Sequence, residues 1–198
     1  MDSQLLKQHF TSYRAKINDL FDGVDQDSLA ATVGAIIKTF KSGGCLYVCG
    51  NGGSASTASH FVADFSFYVR YFTQFRPRMR ALTDNVALMT AIGNDNSFDD
   101  VFMEQMRNHF QKEDTVVCIS ASGNSENVVR AAAYANEVGG TSVAFVGFRG
   151  GKLKDTCKIA IHTENPKGDY GPIEDFHLIL NHLIVSYLVK DEEFLGLA

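Results

Sequence analysis

His60 and Asp64 stand four residues apart in LYVCGNGGSASTASHFVADF (46–65), so on a helix they share one face, a turn apart. An imidazole and a carboxylate so placed can chelate a divalent cation or hydrogen-bond to each other. A second group lies in GPIEDFHLILNH (171–182), where Glu174, Asp175, His177 and His182 interrupt an apolar segment opened by Pro172. Buried on such a helix, these groups need partners. Two turns of small polar residues complete the set: Gly50-Asn51-Gly52-Gly53-Ser54 and Ser120-Ala121-Ser122-Gly123-Asn124-Ser125. Each follows an apolar run and precedes helical spacing. Backbone N–H groups and the positive end of a helix dipole therefore converge there with serine hydroxyls, a cradle suited to phosphate.

Two nucleotide readings fail on these turns. From Gly50 the spacing is G-x-G-G-S, without the third glycine of G-x-G-x-x-G, and no acidic residue ends a strand about twenty residues on. No Gly-Lys-Ser/Thr follows either turn, which excludes a P-loop. Hydroxyl-rich turns without a basic anchor fit a sugar phosphate better than a triphosphate.

The elements that must hold these groups are legible. Apolar positions at helical spacing predict helices over residues 4–22 and 27–41, the second capped by Asp25 or Asp27 and ended by Ser42-Gly43-Gly44. Beyond Gly44 the pattern changes to short apolar runs at 45–49, 79–82, 115–120, 141–147 and 158–163. Helix-like stretches separate and follow them, near 54–68, 84–92, 98–111, 125–138 and 172–190. Strands alternating with helices predict an α/β domain with a parallel sheet covered on both faces. No repeat or linker divides the chain, so residues 1–198 read as one domain: an N-terminal helical extension (1–42) and an α/β core (43–198). The two leading helices are an unusual start for such a fold and suit packing on a partner subunit.

Composition narrows the function classes. The chain has 198 residues, 45% hydrophobic and 21% charged, with a net charge of -5 and no basic stripe. That disfavours nucleic acid and a membrane surface as partners. The N-terminus lacks the pattern of a secretory signal, and LIVSYLV is far too short to span a bilayer, so the expected location is cytoplasmic. Cys45, Cys49, Cys118 and Cys157 read as small apolar residues, and no zinc-ligand spacing relates Cys45 to Cys49. The aromatics of FSFYVRYFTQFRPR (65–78) read as core or subunit contacts.

Together, the Gly50–Ser54 turn, Ser120-x-Ser122-Gly123-Asn124-Ser125 and AIGND (91–95) resemble the sugar isomerase (SIS) domain, and within it the phosphoheptose isomerases. The likeness covers nearly the whole chain. It implies that Ser120, Ala121, Ser122 and Ser125 hold the substrate phosphate, while Asn51, Gly52, Gly53, Ser54, Asn94 and Asp95 line the sugar. It also implies one Zn²⁺ per subunit, bound where the family carries histidine, glutamate, glutamine and histidine. The matching positions are His60, Asp64, Glu174 and His182. Two depart from the pattern: Asp64 is a methylene shorter than glutamate, and Glu174 is an anion in place of an amide. Eight residues of helix separate Glu174 from His182 by about 12 Å of rise. One ion meets both only if the first turn is irregular or the side chains lean inward; His177 is the rival ligand.

The implied reaction is aldose–ketose isomerisation of sedoheptulose 7-phosphate to D-glycero-D-manno-heptose 7-phosphate through an enediol, feeding lipopolysaccharide or capsule precursors. Asp64 is the expected base and His182 the acid, with Glu174 on the diol. The resemblance also implies a homotetramer with sites shared between subunits. The alternative is a non-catalytic SIS-domain protein that binds a sugar phosphate or a replication initiator. A pure binder has no need of His60, Asp64, Glu174 and His182 together.

Overall fold

Every residue of Leu46–Gly50 is apolar or glycine, and every one is buried, as a strand covered on both faces requires. In the computed structural model, which describes residues 2–197, this strand is β1 of a five-stranded sheet. In chain order the elements are α1 (Ser3–Asp22), α2 (Gln26–Lys41), β1 (Leu46–Gly50), α3 (Gly53–Ala63), a π-helical segment (Asp64–Val69) and α4 (Arg70–Thr73). Next come β2 (Met79–Ala81), α5 (Val86–Asp95), a 3₁₀ turn (Phe98–Asp100), α6 (Met103–Arg107) and β3 (Thr115–Ser120). The chain continues through α7 (Glu126–Glu137), β4 (Thr141–Val146), α8 (Gly151–Thr156), β5 (Ile159–His162), α9 (Tyr170–Leu188) and α10 (Glu192–Leu195).

All strand pairs are parallel, in the order β2-β1-β3-β4-β5. Alternation along each strand feeds two cores. Leu46, Val48, Val117 and Ile119 pack with Ile36, Phe61, Phe176 and Leu180 on one face. Tyr47, Cys49, Val116 and Cys118 pack with Phe102, Met106, Val128 and Ala131 on the other. After β1 the chain runs to β2 on one side, then crosses to β3 on the other. The ends of β1 and β3 therefore flank the topological switch point, where open parallel sheets bind ligands. Both polar turns sit there.

Asp25 caps α2 as expected, its carboxylate accepting from the Asp27 and Ser28 amides. The second half of α1 docks on α9: the Tyr13 hydroxyl donates to Asp175, and Lys16 pairs with Asp169 at 2.8 Å. Leu5, Leu6 and Phe10, in its first half, stay exposed. The helix expected over 54–68 is longer and broken in character, α-helical to Ala63, π-helical to Val69, then α-helical to Thr73. Phe65 and Val69 point into the core, whereas Phe67, Tyr68, Tyr71 and Phe72 face solvent. The stretch over 98–111 is a 3₁₀ turn and a short helix rather than one helix. Two short helices, α8 and α10, join the elements the sequence predicted. No described helix is long and apolar enough to cross a membrane.

Candidate active site

The turn after β1 is shaped by lack of side chains. Gly52 has φ +56° and ψ -123°, a conformation that L side chains rarely adopt. A Cβ on Gly50 would lie 2.7 Å from that of Ser54, and one on Gly53 would overlap the Glu174 carboxylate. Asn51 is fixed by a reciprocal amide pair with the buried Asn127, at 2.9 and 3.0 Å. The turn after β3 closes on itself: Ser120 Oγ accepts from the Gly123 amide at 3.1 Å, and Ser122 Oγ from the Asn124 amide at 3.3 Å. Ser125 precedes α7, and its side chain makes no capping bond.

Between the two turns lies a cavity of about 240 Å³, lined by Asn51, Gly52, Gly53 and Ser54 from one and Ser120, Ala121, Ser122 and Ser125 from the other. Tyr170 and Glu174, from the first turns of α9, close it. No lysine or arginine lines it. A phosphate here would be held by hydroxyls, backbone amides and the α7 dipole. Asn94 and Asp95 are not part of this wall. They end α5, exposed, with Asn94 Nδ2 donating to Asp95 Oδ1 at 2.8 Å.

His60, Asp64 and His182 converge where α3 packs on α9. The two Nε2 atoms are 3.0 Å apart, and Asp64 Oδ2 lies 3.4 Å from that of His60 and 3.5 Å from that of His182. Ligand atoms around a tetrahedral Zn²⁺ with bonds near 2.0–2.1 Å are spaced by about 3.3 Å, so these three atoms match one face of that tetrahedron. Two imidazoles and a carboxylate are donors of the kind used by three-ligand catalytic metal sites, and they could hold a metal ion here. Asp64 is the most enclosed of the three, with 21% of its side chain exposed against 46% for His60 and 54% for His182. Glu174 does not join this cluster; it stands with the serines.

The rival ligand, His177, belongs to the core. It is 1% exposed, packs 6.2 Å from the Phe145 ring, and neither ring nitrogen makes a hydrogen bond of good geometry. Burial pushes its pKa down to about 3, offset only in part by the Val146 carbonyl facing it. The unfolded chain, with an ordinary histidine near 6.5, therefore binds the proton first, and stability is lost as pH falls from 6.5 towards 3. Urea midpoints at pH 7.5 and 5.0 should show a loss of about 2 kcal/mol from this group. His177→Leu should lack that loss; equal acid sensitivity in both proteins would contradict it.

The residues that spacing did not single out are Asn127, Tyr170 and Asn181. Asn181 is fully buried and donates through Nδ2 to Asp64 Oδ2 at 2.7 Å. It precedes a predicted ligand on an apolar helix, which is the signal that was available.

The model of the SIS domain family matches residues 12–147. A phosphoheptose isomerase of Clostridium acetobutylicum is 33% identical, over 91% of each chain. The chain belongs to the phosphoheptose isomerase family. Among its relatives, the Rhodospirillum rubrum phosphoheptose isomerase is 35% identical over 83% of this chain and 85% of its own. The solved phosphoheptose isomerase of Neisseria gonorrhoeae superposes with a TM-score of 0.83 at 28% identity, covering 94% of this chain and 98% of that one. This SIS-domain chain shares the fold of that solved isomerase, and in this chain the switch point carries both polar turns.

Proposed function

We propose that this chain interconverts sedoheptulose 7-phosphate and D-glycero-D-manno-heptose 7-phosphate, supplying heptose for surface polysaccharide. The observation that carries this reading over a binding-only protein is the meeting of His60, Asp64 and His182 at zinc-ligand spacing. Recognition of a sugar phosphate alone needs the serine cavity and nothing more.

Ser120, Ser122 and Ser125 hold the phosphate, and Asn51 and the glycines admit the sugar. Asp64 takes the proton from the carbon beside the carbonyl, giving an enediol that is reprotonated at the neighbouring carbon. His182 is the group that moves the proton between the two oxygens. Zinc, held by His60, Asp64 and His182, would supply positive charge beside the developing enediolate.

Glu174 sits with the serine cavity of its own chain, about 12 Å of helix rise from His182. We therefore place the complete site between two copies: the serine cavity and Glu174 of one, the cluster of the other. The exposed Phe67, Tyr68, Tyr71 and Phe72, just beyond Asp64, give the cluster side an apolar surface to bury in a homo-oligomer, consistent with a tetramer.

The test is metal analysis of the purified protein with a turnover assay on sedoheptulose 7-phosphate. Chelation should abolish turnover and added Zn²⁺ should restore it. Protein that holds no metal and turns over none of this substrate returns the chain to the binding-only reading.

A further inference from the structure

Asn181 presents an amide on the buried face of α9, among Phe176, His177, Leu180, Ile184 and Val185. It is 0% exposed, yet its Oδ1 has no hydrogen-bond partner among the described residues. An amide kept for packing alone is a poor choice, since an unpaired buried carbonyl destabilises where a leucine would not. What Asn181 contributes lies at its other end, where Nδ2 donates to Asp64 Oδ2 at 2.7 Å. Only the NH₂ end of the amide can face a carboxylate.

The bond falls on the oxygen that also faces His60 Nε2 at 3.4 Å and His182 Nε2 at 3.5 Å. Oδ1 receives no hydrogen bond from the described residues, so the two oxygens of Asp64 are differently held. A short side chain has little freedom to reach the histidines and aim a second oxygen at once. With the amide gripping Oδ2, rotation of the carboxylate is restrained with Oδ2 in the cluster, and Oδ1 is left as the oxygen without a described partner.

We propose that Asn181 is a positioning residue for Asp64. It holds Oδ2 at the metal position and leaves Oδ1 to take the substrate proton. The role of Oδ1 rests on the isomerase reading above; the role of Oδ2 rests on the cluster alone. Aspartate and amide form a matched pair, because a carboxylate one methylene longer reaches the histidines unaided.

Asn181→Leu keeps the branched shape with somewhat more bulk and removes the donor. It should lower kcat on sedoheptulose 7-phosphate about tenfold or more, leave KM within about twofold, and weaken Zn²⁺ binding about tenfold, read by competition with a chelator. In an Asp64→Glu background the same replacement should cost less than about threefold in either quantity, a coupling that a purely structural residue lacks. Asn181→Ala gives the same comparison without bulk if the leucine variant does not fold. Wild-type kcat and zinc affinity in Asn181→Leu would overturn the proposal, as would equal losses in both backgrounds or a wild-type protein that binds no Zn²⁺. A wild-type protein that binds Zn²⁺ but does not isomerise this sugar overturns the isomerase reading only. The zinc affinities then still decide the role of Asn181.

Discussion

Asp64→Asn is expected to lower turnover of sedoheptulose 7-phosphate by about 10³-fold, within the range that a positioned general base contributes. The replacement keeps the shape of the side chain and removes its basicity, together with one anionic ligand of the cluster. The serine cavity is built by other residues, from Asn51–Ser54 and Ser120–Ser125, so the affinity for inorganic phosphate should stay within about twofold. Steady-state kinetics and calorimetric titration with phosphate separate the two effects. Full activity in this variant would remove Asp64 from the mechanism.

A mixing experiment extends the same test to the proposal that the site lies between two copies. Ser122→Ala damages the cavity and leaves the cluster intact, so each variant alone should be nearly inactive. Subunits of the two, unfolded and refolded together, should regain part of the wild-type rate, because some interfaces then pair an intact cavity with an intact cluster. A mixture as inactive as its parents would place the whole site within one chain.

The second large effect is expected from Gly123→Ala. Gly123 has φ +64°, and a Cβ there would overlap the carbonyl oxygen of Gly150. Backbone faces backbone at that point, and Gly151 is pressed in turn against the Ser122 carbonyl, so neither turn has slack. The variant should lose about 3 kcal/mol or more of stability, the range of a strained, overpacked site. Its folded fraction should bind phosphate poorly, since opening the turn breaks the Ser120 Oγ bond to the Gly123 amide. Gly52→Ala is the comparison: the space there is open, and only the backbone conformation, φ +56° with ψ -123°, is strained, for a cost of about 2 kcal/mol. Urea denaturation of both measures the difference, and equal midpoints would contradict the account.

The central strands β1, β3 and β4 were legible because a covered parallel strand must be apolar on both faces. The edge strands β2, with exposed Arg80, and β5 are only partly covered and showed as shorter apolar runs. Residues 115–120 match β3 to the residue. Helices α8 and α10 were not legible, being too short to display a period. At the site, His60 and Asp64 declared themselves by spacing, since one turn of helix fixes their neighbourhood. The relation of Glu174 to His182 did not, because α9 is helical without interruption and sets them at different points along its length. His177 looked like a ligand by type and proved to be a core residue, since only the rotation of α9 against β4 decides which way it points. Asn181 was hidden for the opposite reason: one amide on an apolar helix has no pattern until its partner on another helix is known.

The π-helical segment Asp64–Val69 puts the long helix out of phase with itself. The part that leads into it sets the clock for chemistry, with His60 one turn ahead of Asp64, the segment's first residue. The rest sets a second clock, for four aromatic rings turned to solvent: Phe67 and Tyr68 inside the segment, Tyr71 and Phe72 beyond it. Removing a single codon within this stretch would rotate the second dial by about 100° and leave the first where it is. The His60–Asp64 pair and an exposed aromatic surface share one helix here, and a change of phase between them is expected to move one without moving the other.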